Sequence, residues 1–452
     1  MGSNSCDYQS HYHALLFPFM SKGHLIPILQ LARLLLRHRF AITFITTPAN
    51  RPFVAKSLED TTVSIVELPF PQNILGIPSG VESTDKLPSM SLFPEFGRST
   101  KAVQPEFERV VATIEPVNFM VSDGFLWWTL ESANKFGFPI LVFFGMSNYA
   151  SSVSQAAREG RLLFGPESDE EPITVPEFPW IKITRNDFDP VFTDRDPKGI
   201  HIEFVMDLFV AADQSFGTLV NSFYELEPTF ADYINRDGEP KSWNVGPLCR
   251  VEPPPRLDQS RNKPAWIQWL DQNLELGSSV LYIACGSQAE LSTEQLRDIA
   301  IGLEEEDASE LGDGFEERVK ERGRVVRDWV DQREILKHEC VQGFLSHCGW
   351  NSLLDNSICA GVPILAWPMM VDQPLNARMV VEEIKVGLRV ETRNGSVKGE
   401  LMEGEKGKEV RKKVKEVAEM AKKAMEEEIG SSWLSLSKLI DRTCIEKKTR
   451  KS

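Results

Sequence analysis

The chain has 452 residues, 42% hydrophobic and 26% charged, the balance of a soluble globular protein with room for two large α/β domains or about three smaller ones. Its 66 acidic against 50 basic side chains give a formal charge of −16, which repels nucleic acid and confines any phosphate-binding site to a local feature. Seven cysteines without a CxxC pair (Cys6, Cys249, Cys285, Cys340, Cys348, Cys359, Cys444) read as reduced thiols of a cytoplasmic protein, not as a disulfide framework or zinc site. No apolar run reaches the roughly 18 residues of a transmembrane segment. The opening MGSNSCDYQS lacks a charged-then-apolar leader pattern, and Cys6 stands where a myristoylation start after Gly2 wants Ser or Thr.

His11–Phe17 reads as a first strand, followed by a loop, Pro18–Leu25. The spacing predicts a helix opening at Pro27, a residue suited to a first helical turn, with Ile28, Leu31, Ala32 and Leu35 on one face. Further strands are expected at Ala41–Thr46, Val63–Leu68, Val117–Val121 and Ile140–Phe144, with a helix at Trp127–Phe136. Strands separated by helices imply a parallel sheet covered on both faces. Pro166–Pro197, rich in Pro and Asp, reads as a surface excursion.

Asn235–Pro264 carries six prolines and little apolar periodicity, which suggests a linker over 241–264 between a domain at 1–240 and another at 265–452. A second α/β series is expected in the latter: strand Val280–Cys285, helix Thr293–Glu305, strands Arg324–Trp329 and Gly343–Ser346, helix Asn351–Cys359 and strand Pro363–Trp367. The Lys/Glu-dense stretch from Lys406 to Glu428 reads as a helix with a solvated face. Two such halves suggest sheets facing each other across a cleft, with ligands beyond the C-terminal ends of the strands.

Chemistry concentrates between Trp329 and Gln373. Gly343–Ser346 delivers His347, Cys348 and Gly349 into a turn, and a helix starts near Trp350. Amides of a helix's first turn lack a carbonyl one turn back, so with the dipole, Asn351, Ser352 and a donor from His347 they form an anion site. A diphosphate leaving group requires such a site as its charge grows. Asp372 and Gln373 offer acceptors and donors for sugar hydroxyls, and Trp329 with Gln332 suits a stacked, hydrogen-bonded uracil. His24, just after the first strand, is placed as a general base, worth about 10²–10⁴ in rate. It needs a carboxylate to fix its tautomer and stabilise the imidazolium, and Asp123 is the best candidate. The D-x-D triplets Asp187-Phe188-Asp189 and Asp194-Arg195-Asp196 follow no apolar strand and read as loop carboxylates, so no metal site is expected. No G-x-S-x-G, Walker lysine or H-E-x-x-H motif is present, which argues against esterase, NTPase and zinc-protease chemistry.

The stretches W-V-D-Q at Trp329–Gln332, H-C-G-W-N-S at His347–Ser352 and D-Q at Asp372–Gln373 resemble the signature box of the plant secondary-product UDP-glycosyltransferases, glycosyltransferase family 1. F-M-S-K-G-H-L-I-P from Phe19 and V-S-D-G-F-L-W-W from Val121 carry the resemblance over nearly the whole chain. It implies a GT-B fold of two Rossmann-like domains. It also implies inverting, metal-independent transfer of a sugar from a UDP-sugar to a hydroxyl of a small lipophilic acceptor such as a flavonoid or other phenolic. The UDP-sugar is then a co-substrate, no further cofactor is called for, and a monomer is expected. By the same resemblance Trp329 stacks on uracil, His347 contacts the diphosphate, and Asp372 and Gln373 hold the sugar, Gln373 going with glucose. His24 and Asp123 form the catalytic pair, and Gly286-Ser287 resembles a phosphate-side loop that makes Ser287 a donor-site candidate. Phe19, Phe125, Trp127 and Phe143 are expected to line the acceptor pocket.

The chain departs from the family in three places. Between Ala300 and Arg324 an expected apolar strand is absent, near 305–312, and a second segment is absent after Gly399. Lost strands leave backbone groups unpaired, so an impaired relative or a UDP-binding protein without transfer is the alternative reading. The signature box also has one extra residue: counted from Ser352, Asp355 takes the ribose-binding position, and counted back from Gly361, Asn356 does. One insertion turns a helix face by about 100° unless a π-bulge absorbs it. Asp355 is favoured, because the phosphate site anchors the helix start.

Overall fold

A computed structural model describes residues 12–251 except 115 and 240, residues 263–286, 288, 292, 295, 320, 322–327 and 330–390, and residues 401–449 except 403. Its strands are β1 (Tyr12–Phe17), β2 (Phe40–Thr46), β3 (Ser64–Glu67), β4 (Phe119–Asp123), β5 (Ile140–Phe144), β6 (Ile173–Val175), β7 (Phe178–Ile183), β8 (Gly217–Val220), β9 (Lys241–Asn244), β10 (Val280–Ala284), β11 (Val341–Ser346), β12 (Ile364–Ala366) and β13 (Gly387–Arg389). The chain divides into two compact units, 1–252 with 421–452, and 253–420.

In the first unit a seven-stranded parallel sheet runs in the order β3-β2-β1-β4-β5-β8-β9. β1 shows why the strands lack polar alternation. Ala14 and Leu16 enter one core with Leu31 and Leu35, while Leu15 and Phe17 enter another with Phe96, Phe107 and Trp128. Both faces are covered, so every residue of the strand's second half is apolar. The direction of winding reverses between β1 and β4, and the C-terminal ends of these two strands flank the switch point.

The helix after β1 spans Lys22–Arg37, one turn longer at its start than expected, with Pro27 inside it. Ser21 caps it, its carbonyl accepting from the Leu25 amide at 2.8 Å. A proline this close to the N-terminus forgoes a single bond, to the carbonyl of Gly23, so the helix need not start at it. His24 therefore sits in a helical first turn and not in a loop.

Two other expectations change. Pro166–Pro197 contains the antiparallel pair β6–β7, and the proposed linker begins with β9, the edge strand of the first sheet. The expected 265–452 domain also gives up its end. Helix Ser431–Thr449 belongs to the first unit, with Leu436 and Leu439 in its core and Trp433 tilted against His38 at 4.0 Å between ring centroids. Trp433, Leu436, Leu439 and Ile440 recur at helical spacing, and that stripe is what docks the segment.

The second unit holds the parallel sheet β10-β11-β12-β13 over a core of Leu270, Ile335, Leu336, Val341 and Phe344. Among the described residues β10 pairs with one strand, β11, and all five of its residues are half-buried. The expected strand Arg324–Trp329 does not form over 324–327, where Val325 and Val326 are exposed. A strand requires a neighbour to pair with, and the local pattern could not show whether one was within reach. Residues 328–329, the expected absent strand near 305–312, the segment after Gly399 and nearly all of the expected helix Thr293–Glu305 lie outside the described residues. Among the described residues no helix is long and apolar enough to cross a membrane.

Candidate functional site

Asp123 ends β4 and His24 follows β1, so the switch point brings them together. His24 Nδ1 lies 2.7 Å from Asp123 Oδ2. The other carboxylate oxygen, Oδ1, accepts from the Phe125 amide at 3.0 Å, which fixes the plane of the group. Asp123 is 1% exposed in its side chain and His24 21%, so the carboxylate is sealed while the imidazole is partly exposed. With Nδ1 facing the carboxylate, a neutral ring carries its proton there and leaves Nε2 as an acceptor. That is the state a general base requires.

Aromatic rings surround the imidazole. Phe19 meets it edge-on at 5.8 Å, and Phe125 lies tilted at 4.8 Å. Phe93 and Phe204 pack on Phe125 at 5.3 and 5.8 Å, and Trp127 on Phe204 at 5.7 Å. Phe19, Phe125 and Trp127 thus share one face of the sheet. Phe143 does not: it belongs to the core on the opposite face, because alternate residues of a strand point to opposite sides. Its neighbour Phe144 takes the nearer place, packed so closely on Gly124 that a Cβ there would meet the ring at 2.3 Å.

In the second unit the loop after β11 carries His347, Cys348 and Gly349. Cys348 holds φ at +65°, and its amide is bound by Ser346 Oγ at 3.1 Å. Its thiol is buried and pushed up to about 12 by desolvation, so it is inert at neutral pH. The His347 ring sits between two glycines. A Cβ at Gly349 would meet Nε2 at 2.5 Å, and one at Gly286, where φ is +84°, would meet it at 2.8 Å. Burial lowers the His347 pKa, the Ala284 carbonyl acting the other way. Its Nδ1 is buried without a hydrogen-bond partner, a condition that calls for a ligand or water.

Trp350 is buried, so it brings its backbone and not its indole to the helix start. Asn351 and Ser352 follow half-buried, and Ser352 Oγ reaches Gln332 Oε1 at 3.2 Å. The loop after β12 sets Asp372 and Gln373 at the head of helix Gln373–Arg378. Gln373 Oε1 accepts from the Met369 and Met370 amides, both at 3.0 Å, which shapes the loop. Ser287 and Trp329 lie outside the described residues.

The sequence profile described as UDP-glucoronosyl and UDP-glucosyl transferase matches residues 270–399. Over 96% of its length the chain is 54% identical to UDP-glycosyltransferase 90A1 of Arabidopsis thaliana, 97% of which is covered. The chain belongs to the plant UDP-glycosyltransferases. The crystal structure of Glycyrrhiza uralensis UGT73P12, complexed with glycyrrhetinic acid 3-O-monoglucuronide, superposes with a TM-score of 0.84 at 28% identity, covering 97% of each chain. The structure of Phytolacca americana UGT2, complexed with UDP-2fluoro-glucose and pterostilbene, gives 0.75 at 25% identity over 96% of this chain and 99% of that one. The fold is accordingly GT-B, and the activity is sugar transfer from a UDP-sugar to a small-molecule acceptor.

In this UDP-glycosyltransferase the extra residue of the signature box is taken up by a π-helical segment, Ser352–Ile358, with the Cys359 amide bonding the Leu354 carbonyl five residues back. Counting from the helix start as though it were an α-helix therefore misleads. Asp355 is buried at 6% exposure, whereas Asn356 Nδ2 joins Ser352 on Gln332 Oε1, at 2.6 Å. Asn356 thus lies on the face shared with Ser352 and Gln332, while Asp355 is buried. The Tyr282 hydroxyl also bonds Gln332, so that side chain is engaged within the protein.

The D-x-D carboxylates serve locally. Asp187 forms a capping box with Thr184, Asp189 caps Val191 at 3.0 Å, and Asp196 pairs with Lys198 at 2.6 Å. Sequence reasoning overlooked Asn376 of this UDP-glycosyltransferase, fully buried and bonded to both the Cys348 carbonyl and Asp372. Its signal was a polar fourth residue in helix Gln373–Arg378, between the buried Leu375 and Ala377.

Proposed function

We propose that this UDP-glycosyltransferase transfers glucose from UDP-glucose to a hydroxyl of a flat phenolic acceptor, with inversion and without a metal. The observation that carries the reading is the 2.7 Å bond between His24 and Asp123, with the imidazole set among aromatic rings. His24 Nε2 takes the proton of the acceptor hydroxyl as that oxygen attacks the anomeric carbon. The bond from that carbon to the β-phosphate oxygen breaks on the opposite side, and UDP leaves with the electron pair. Asp123 stabilises the imidazolium as it forms.

In the second unit His347 and the helix start at Trp350 take the diphosphate, while Asp372 and Gln373 take sugar hydroxyls. Support for glucose is the presence of Gln373 and the UDP-2fluoro-glucose held by Phytolacca americana UGT2. Support for a phenolic is the ring-lined surround of His24 and the pterostilbene in the same relative. An asymmetric point supports metal independence: the D-x-D carboxylates are engaged in caps and an ion pair. Cys249, Cys285, Cys340, Cys348 and Cys359 are free thiols, which supports a cytoplasmic setting.

The test is UDP release by the purified chain with UDP-glucose and a panel of phenols, in the presence of EDTA, with His24→Ala alongside. Glucoside formation that His24→Ala abolishes, with a β-linkage in the product, is the expected result. Turnover that survives in His24→Ala removes the base, and a UDP-sugar other than UDP-glucose as the preferred donor removes the glucose assignment.

A further inference from the structure

We infer that Asn376 is a positioning residue, a single buried amide that holds the His347–Gly349 turn and the Asp372 carboxylate in one arrangement for the sugar diphosphate. The inference rests on the donor-site reading above. Asn376 is fully buried, one helical turn beyond Asp372. Its Nδ2 donates to the Cys348 carbonyl at 3.1 Å and to Asp372 Oδ2 at 2.8 Å. Its backbone amide also donates to the Asp372 carbonyl, at 2.9 Å. The two acceptors come from loops that follow adjacent strands, β11 and β12. One group thus spans the two halves of the donor site.

Each acceptor needs such an anchor. Cys348 adopts φ of +65°, a conformation that side chains other than glycine keep only when their surroundings over-determine it. Asp372 is half-buried and follows Val371, another non-glycine at positive φ, +56°. The bond from Asn376 to Asp372 Oδ2 sets the direction in which that carboxylate faces a sugar hydroxyl. Packing alone would be served as well by leucine, and a buried amide is retained at a desolvation cost unless its bonds matter.

The variants Asn376→Asp and Asn376→Ser, in the full chain, separate this role from a structural one. Near neutral pH Asn376→Asp sets two carboxylates against each other and removes both donors, and at lower pH the pair shares a proton that restores one donor. Among the described residues His347, Cys348 and Arg389 are further titratable groups around the turn, and they are common to all three proteins. The KM for UDP-glucose should rise about 10- to 100-fold in Asn376→Asp at pH 7.5, the range for lost hydrogen bonds to a charged group. It should fall back several-fold by pH 5.5 relative to wild type. Asn376→Ser should show a raised KM without that return, and direct titration with UDP-glucose should show the same ordering in Kd.

Folded variants with wild-type KM, or losses in Tm alone with equal pH profiles for the two, would overturn the inference. Wild-type protein that fails to bind UDP-glucose overturns the donor-site reading and the inference with it. Binding by wild type with no effect of either substitution overturns the inference alone.

Discussion

Replacing Asp123 with asparagine should remove catalysis while leaving the fold intact, and the local geometry fixes how. Asp123 Oδ1 accepts from the Phe125 amide at 3.0 Å, and Oδ2 faces His24 Nδ1 at 2.7 Å. An asparagine has one acceptor and one donor end. Its oxygen must stay on the Phe125 amide, because two donors cannot face each other in a buried site. The amide nitrogen then points at His24 Nδ1, and that nitrogen must become an acceptor. The ring proton moves to Nε2, the atom that has to receive the acceptor's proton. General-base assistance, about 10²–10⁴ in rate, is lost, which corresponds to about 2.7–5.4 kcal/mol in the barrier. The assay is kcat for UDP release across phenols of graded acidity, with Tm as a folding control. The deficit should shrink for nitrophenols, which give up their proton with less help. A folded Asp123→Asn with kcat within threefold of wild type on an ordinary phenol would refute the tautomer argument.

Three further outcomes are expected. Because burial lowers the His347 pKa, the unfolded chain binds more protons between the lowered value and the ordinary one near 6.5. The associated stability is fully present above about pH 6.5 and is lost as pH falls through the lowered value, so His347→Asn should flatten that part of a Tm–pH curve; an identical slope from pH 7 to pH 5 would contradict it. Leu439→Ala, at a fully buried position of the last helix, should cost about 2–5 kcal/mol in chemical denaturation of the first unit, and a cost under about 0.5 kcal/mol would mean that the helix is not docked. Asn356→Ala should weaken UDP binding more than Asp355→Ala does in folded protein by calorimetry, and the reverse order would restore the count made from Ser352.

What was legible in the sequence follows from range. The strands β1, β2, β4 and β5 stand out as apolar runs, and His24, Asp123, His347, Asp372 and Gln373 stand out because each follows such a run. Topology then does the rest, since a parallel sheet brings its strand ends to one side. Phe143 was misplaced because a run that is apolar on both faces hides which residue points where. The start of the first helix was misplaced because Pro27 is a good first residue yet is also tolerated one turn in. Asn376 was overlooked because its bond to the Cys348 carbonyl joins it to a loop 28 residues away, which no local pattern reports. The docking of Ser431–Thr449 on the first unit required long-range packing that no local pattern reports, although its apolar stripe was present.

The π-helical segment explains how the signature box tolerates its extra residue. Both ends of the helix are fixed from outside it. At the start, the turn after β11 is held by Ser346 Oγ on the Cys348 amide and by Asn376 on the Cys348 carbonyl. At the end, Ser357 and Val362 bond each other twice, and Pro363 leads into β12, whose register with β11 pairs Phe344 with Ile364. An α-helix with one more residue would have to rotate one of these ends by about 100°, breaking either the anion turn or the strand register. Widening Ser352–Ile358 to five-residue bonding takes up the extra residue between those two ends. The change falls on the residues between Ser352 and Ile358, where Asn356 bonds Gln332 and Asp355 is buried. The π-helical segment thus takes up the extra residue between two ends that are each held by bonds to neighbouring elements.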